Sequence, residues 1–200
     1  SYTQSAEGEI TVGNYGAWGV SGAYNDALGE NAAFRVFATK RSRDGFMDVN
    51  TGRGPRTVEE DGDQNFHSLR GQLLIEPTDT LDINIIADYT SREENCCLGV
   101  HTVVGSTAAI IRGVGGPNAM PTVADPFARQ AYANRSTESD IKDKGISGEV
   151  NWETNWLGGA TLTSITSSRD WQTINGLDFD YTGADLLYRN ADEDESLTKF

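Results

Sequence analysis

The sequence predicts an all-β protein: an antiparallel, up-and-down sheet of about seven to eight strands that forms part of a large transmembrane β-barrel. Period-two alternation of apolar and polar residues is common along the chain, and helical periodicity is scarce. Short turns alternate with long connections, so an up-and-down chain gathers its long loops at one end. The polar rows are too rich in charge for a soluble core, where unpaired charge is costly.

The expected strands span about residues 5–13, 16–26, 32–44, 65–76, 80–92, 142–154, 159–171 and 195–200. The clearest is LDINIIADY (81–89). Leu81, Ile83, Ile85, Ala87 and Tyr89 share one face, and Asp82, Asn84, Ile86 and Asp88 the other. LRGQLLIE (69–76) precedes it across the turn Pro77-Thr78-Asp79-Thr80, which predicts a hairpin. ISGEVNWE (146–153) alternates the same way and leads through Asn155–Gly158 into ATLTSITSSRDW, rich in β-branched residues. Upstream, 17–25 and 32–43 flank a polar turn near Asp26–Glu30, although Phe37 and Lys40 break the pattern there. The long connections, about 45–64, 93–141 and 172–194, are expected as extracellular loops. Trp152 and Trp156 bracket a short turn, while Phe46, Phe66, Tyr89 and Trp171 fall near the opposite strand ends, as interfacial girdles would.

Composition narrows the classes. Hydrophobic residues are 37% of the 200, glycines number 22, and the formal net charge is −14. An acidic chain is a poor partner for nucleic-acid phosphates and has no polybasic stretch for an anionic membrane surface. No segment approaches the roughly 18 apolar residues of a transmembrane helix. The mean hydropathy of −0.48 does not exclude a membrane barrel, whose strands are apolar only at alternate positions.

Four stretches carry a resemblance: TVGNYGAWGVSGAYNDAL (11–28), FATKRSRDGFMDV (37–49), LRGQLLIEPTDTLDINIIADYTSREENCC (69–97) and TLTSITSSRDW (161–171). In order and spacing they resemble the early barrel strands of TonB-dependent outer-membrane receptors. The resemblance implies energised uptake, across the outer membrane of a Gram-negative bacterium, of a scarce nutrient such as a ferric siderophore, cobalamin or glycan. It implies a small-molecule ligand held by the long loops, outer-membrane lipid around the wall, and TonB and a plug domain as partners of the whole protein. No plug or TonB box is read in the 200 residues, which are therefore expected to be a fragment. A passive porin-like channel and a soluble β-sandwich binding module are the rival readings.

Residues for chemistry are sparse, so no enzyme, cofactor or metal site is expected. His67 and His101 lack converging partners. Arg112–Pro117 is glycine-rich, but no strand leads into it and no helix follows, so it reads as a loop tip rather than a phosphate cradle. Asp178, Asp180, Asp185 and Asp192–Glu195 form an acidic run without EF-hand spacing, read as a solvated loop. Cys96 and Cys97 are the only cysteines and open the longest loop in an oxidising compartment. Either they bond to each other or each bridges outside these residues; the vicinal disulfide is expected.

Overall fold

A computed structural model describes residues 2–200, the Leu157 side chain excepted; Ser1 lies outside them. In chain order the elements are β1 (Ser5–Val12), β2 (Trp18–Ala27), β3 (Ala32–Arg43), β4 (Met47–Asn50), β5 (Glu60–Asp61), β6 (Gln64–Thr78), β7 (Leu81–Asn95), α1 (Ala108–Gly115), β8 (Gln130–Tyr132), β9 (Glu138–Glu153), β10 (Thr161–Asp178) and β11 (Tyr188–Lys199). The protein is all-β, built on an eight-stranded sheet of order β1-β2-β3-β6-β7-β9-β10-β11. Every neighbouring pair in it is antiparallel. The sheet is open, with β1 and β11 as its edges.

Register gives the sheet two unlike faces, because side chains alternate along each strand and paired residues share a side. One cross-strand row reads Glu7, Ala23, Phe37, Arg70, Asp88, Gly145, Arg169 and Leu197. Its face also bears Glu9, Arg35, Gln72, Asn84, Glu149 and Asn151. The rows on the other face carry Ile10, Val20, Val36, Leu69, Leu73, Ile85, Ile146, Val150 and Leu162. No second layer covers the apolar face among the described residues: Val20, Leu69 and Ile146 remain 48–56% exposed. The apolar band crosses the rows obliquely. It lies at Ile10 and Val12 on β1, at Phe34–Ala38 on β3, and at Trp152 and Leu162 on β9 and β10.

Charge on the polar face is paired across intervening strands. Arg169 on β10 reaches over β9 to Asp88 on β7 at 2.9 Å and also binds Asp143 at 2.6 Å. It passes above Gly145, where a Cβ would stand 2.8 Å from the guanidinium. Arg35 and Arg41 on β3 reach over β2 toward Glu7 and Glu9 on β1 at 3.6 and 4.0 Å. These pairs are partly exposed and each contributes about 0–1 kcal/mol. Their consequence is geometric: small residues on the middle strand let long side chains span three strands.

Several expected boundaries move. β10 runs to Asp178 and β11 begins at Tyr188, so residues 172–178 and 188–194 are strand and the connection shrinks to 179–187. The 93–141 connection likewise loses its ends to β7 and β9. Alternation in 188–194 was hidden because Asp192–Glu195 place acid on both faces. Two expected girdle residues turn out to face the polar side. Phe66 lies there under the Arg92 guanidinium, 5.5 Å from the ring centroid, and Trp171 shares that face. Phe46 leaves the sheet altogether and stacks with Arg43 at 5.4 Å. Tyr89 alone of the four stands on the apolar face.

The connections sort by end. Residues 28–31, 79–80 and 154–160 join strands at one end; 13–17, 44–63, 96–137 and 179–187 join them at the other. The three longest fold together as a cap around a small sheet of order β5-β4-β8, with β4 and β8 parallel. Met47, Val49, Leu98, Ala131 and Ala133 form its core. Backbones touch directly in the cap. A Cβ on Gly54 would lie 2.2 Å from the Asn134 carbonyl oxygen, and one on Gly183 would lie 2.9 Å from the Gly52 Cα. Gly183 also donates its N–H to the Ala119 carbonyl at 2.7 Å.

Gly54→Val should therefore detach the 51–59 segment from residues 133–136 while leaving the eight-stranded sheet intact. Limited proteolysis is expected to cut the cap of this variant at protease levels that spare the wild type. Equal resistance would contradict the close approach.

Candidate functional site

The cap is the candidate ligand-contacting site, and its rigidity comes from a buried polar cluster. Arg56 and Asp61 have side chains 1% and 0% exposed, in contact at 3.4 Å. Arg56 uses all five of its guanidinium hydrogens. Nε donates to the Val58 carbonyl at 2.7 Å. One terminal nitrogen donates to the Arg135 carbonyl and the Thr137 hydroxyl, and the other to the Glu60 carbonyl and Asp61. The Thr137 hydroxyl donates in turn to Asp61, whose other oxygen accepts the Leu98 N–H at 3.3 Å. One ion pair thus fastens residues 56–61, 98 and 135–137 together. Burial lowers the Arg56 pKa from its ordinary value, and Asp61 opposes that shift.

Asp178 closes the third connection onto this cluster. It ends β10 above the apolar band and is fully buried. Oδ2 accepts the backbone N–H groups of Asn134 and Arg135 at 2.8 and 3.1 Å. Removal from water raises its pKa to about 6, against the lowering effect of those donors; neighbouring Asp180 raises it further. Arg135 makes a two-point pair with Asp185, with Nε to Oδ1 at 3.0 Å, and lies over the Tyr188 ring. Asp180 accepts the N–H groups of Thr182, Leu186 and Leu187, which holds the 180–187 turn closed.

The cysteine pair stands where β7 enters the cap. Cys96 and Cys97 are bonded to each other at 2.07 Å. Cys96 donates its N–H to the Thr137 carbonyl at 2.9 Å, Cys97 adopts φ 85°, and Leu98 enters the cap core. Other sequence candidates separate. The Nε2 of His101 donates to the Tyr181 carbonyl at 2.9 Å, whereas His67 lies on the apolar sheet face, 5.8 Å from the Tyr89 ring. They do not converge.

Arg112–Gly115 is not a loop tip but the end of α1, and Arg112 donates to the Pro121 carbonyl. The acidic run disperses into a buried Asp178, a turn-closing Asp180, an Arg-paired Asp185 and the exposed β11 acids. Among the described residues no group of His, Cys, Asp and Glu side chains is placed to hold a metal.

What residues 98–127 offer outward is mostly apolar, whereas Arg53, Glu59, Glu60 and Arg129 put charge on the rest of the cap surface. Val103, Ile110, Val123 and Phe127 are 68–92% exposed. Between Leu98 and Ala124 the one charged side chain is Arg112, already engaged. The charged residues that build the cap, Arg56, Asp61 and Asp178, carry no sequence signal: each lies in an acidic, loop-like stretch that reads as solvated. No protein-family model, curated protein or solved structure matches the chain.

Arg56→Met strands Asp61 as a buried charge, at a cost of about 3–5 kcal/mol of cap stability. Hydrogen exchange at residues 47–61 and 96–98 should accelerate accordingly, with amides in the middle of β6 and β7 unaffected. Uniform acceleration across the sheet would contradict a local role.

Asp178 predicts a pH effect. Its folded pKa, about 6, exceeds its unfolded value of 3.8. The stabilisation is therefore complete below about pH 4 and is lost as pH rises through about 6, a change of up to about 3 kcal/mol. Exchange of the Asn134 and Arg135 amides, corrected for intrinsic rate, should be slower at pH 4 than at pH 7. Asp178→Asn should remove the difference.

Proposed function

We propose that this chain is part of the wall of a TonB-dependent outer-membrane receptor that takes up a scarce nutrient. The observation that carries the reading is the unlike pair of sheet faces combined with end-sorted connections. A sheet whose apolar face meets no protein needs another apolar medium, and lipid is one. The polar face, with its spanning Arg–Glu and Arg–Asp pairs, suits a wet or plugged lumen. Strands of 15 to 18 residues in β6, β7, β9 and β10 exceed the roughly 9–11 that cross the hydrocarbon. The surplus lies toward the long connections, as extracellular strand extensions do. The oblique apolar band suits strands tilted to a barrel axis. The four sequence stretches point to the receptor class, and the mostly apolar outer surface of residues 98–127 suits a ligand held by contact rather than by charge. Under this reading the ligand meets residues 44–63, 96–137 and 179–187, while energy reaches the barrel through a plug and TonB box outside these residues.

A passive channel shares the same wall, and the residues preceding Ser1 separate the two. A plug domain and TonB box there support the receptor; a further strand hairpin in their place overturns it. Facing is tested directly in the chain. Ile85→Arg should block insertion into bilayers, at a cost of about 2–4 kcal/mol near the midplane, whereas Asn84→Arg should insert as the wild type does. Equal effects at the two positions, read by protease protection in vesicles, would sink the membrane reading.

A further inference from the structure

The chain passes from sheet to cap through one dipeptide. β7 is held to its last residue: Asn95 donates its N–H to Asp63 at 2.6 Å, and its carbonyl accepts the Gly62 N–H at 2.9 Å. Three residues on, Leu98 is 6% exposed in the cap core, with its N–H on the buried Asp61. Cys96 and Cys97 alone stand between these two anchors. Cys96 donates its N–H to the Thr137 carbonyl. The change of direction falls on Cys97, at φ 85°.

That value is unusual even among positive φ angles. Among the described residues the other non-glycine cases, Tyr15, Arg129 and Tyr181, lie at 51–57°, inside the small left-handed well; Cys97 lies beyond it. Cys97 makes no hydrogen bond of its own among the described residues. What distinguishes it is covalent: its bond to Cys96 closes a small ring through the peptide group between them. The bond is also within reach of solvent. Cys97 is exposed and Cys96 half-buried, so a small reagent meets the Cys97 sulfur first.

We infer that Cys96–Cys97 is a reversible thiol-exchange site that governs the root of the longest connection: a small-molecule thiol opens it, Cys97 leaves its positive φ, and Leu98 leaves the core. The thiolate of a first thiol attacks the Cys97 sulfur and forms a mixed disulfide; the Cys96 sulfur departs with the electron pair and takes up a proton. A second thiol attacks the sulfur of the first, and Cys97 departs as a thiolate that is protonated in turn. Two thiols become one disulfide, and the protein gains two electrons and two protons. Exchange in reverse with that disulfide closes the bond again.

Once open, residues 96–98 extend, and Leu98 and Val100 withdraw from Met47, Val49, Ala131 and Ala133. Asp61 loses the Leu98 N–H but keeps Arg56 and Thr137. Farther along, Ala119 still accepts the Gly183 N–H and His101 still meets the Tyr181 carbonyl. The switch therefore loosens where the connection starts and leaves the rest of the cap tethered. It needs only the cap, whatever medium covers the sheet.

The test uses the full oxidised chain, with mercaptoethanol as the thiol and hydroxyethyl disulfide to reverse it. Intact mass should rise by two hydrogen atoms on reduction. Hydrogen exchange at residues 47–50 and 98–100 should then quicken about tenfold, with the middles of β6 and β7 unchanged, and should slow again on reoxidation. Cys96→Ser/Cys97→Ala should exchange as the reduced chain does, with or without thiol. Cys96→Ser/Cys97→Gly should lie nearer the oxidised wild type, because glycine takes a positive φ without a bond to hold it there. Unchanged exchange after complete reduction, equal exchange in the alanine and glycine variants, or a bond that mercaptoethanol opens only in the denatured chain overturns the inference.

Discussion

An apolar sheet face with no protein against it among the described residues is the constraint on which the rest of the structure depends. Two layers normally bury such a face. Here the core built from buried side chains lies in the cap instead, around Met47, Val49 and Ala131. Strand order follows from the need to satisfy backbone groups laterally once neither face has a second layer. Each of the six inner strands pairs on both sides, and only β1 and β11 keep unpaired edges. A long free edge invites further pairing. The placement of the sheet's arginines on the polar face follows too. Planar guanidinium forks suit fixed carboxylate partners such as Asp88 and Asp143, which the polar face supplies. On the apolar face Lys144 meets Asp170, and Lys40, Lys142 and Lys144 keep to the band's edge.

The cap solves a different problem with the opposite means. Its connections are rich in glycine and alanine, so they bring backbones together but bury little side-chain area. Close approach at Gly54 and Gly183 strips water from carbonyls and N–H groups, which then need partners. Arg56 supplies five donors in one rigid plane and satisfies carbonyls from two connections at once. A buried ion pair is a weak source of net stability but a strong source of uniqueness of geometry here, since any other packing leaves Asp61 bare. The outward surface between Leu98 and Ala124 can then carry little charge because the charge that organises the cap is inside.

How much of this was legible depended on whether a residue's role was local. β7 could be read directly, because Leu81–Tyr89 alternate without interruption. The hairpin to β6 followed from Pro77–Thr80, although Pro77 coincides with a register shift that alternation does not reveal. Phe37 and Lys40 looked like defects of β3; register shows Phe37 on the polar face and Lys40 at the band's edge. Phe66 and Trp171 had the right position along their strands for a girdle, and failed by one residue of parity. The acidic run misled most. Asp178 and Asp192 look alike in the sequence, yet one is sealed against the Asn134 and Arg135 amides while the other lies on a free edge strand. That difference arises from residues more than 40 positions away, and no spacing rule encodes it. The same holds for Arg56, whose partners Arg135 and Thr137 are 79 and 81 residues distant.

The cysteine pair links the two halves of this design. β7 must leave the sheet and deliver Leu98 into the cap core within three residues of Asn95. A chain continuing as extended strand would carry Leu98 past the core. Cys97 turns it instead through φ 85°, a conformation L-residues seldom adopt. The bond between adjacent cysteines narrows the conformations open to that dipeptide, and the Cys96 N–H on Thr137 fixes its direction. Thr137 also receives Arg56 and donates to Asp61. The disulfide therefore ends the regular sheet at the same residue around which the cap is assembled, so that the placement of the longest loop and the burial of the ion pair are settled together.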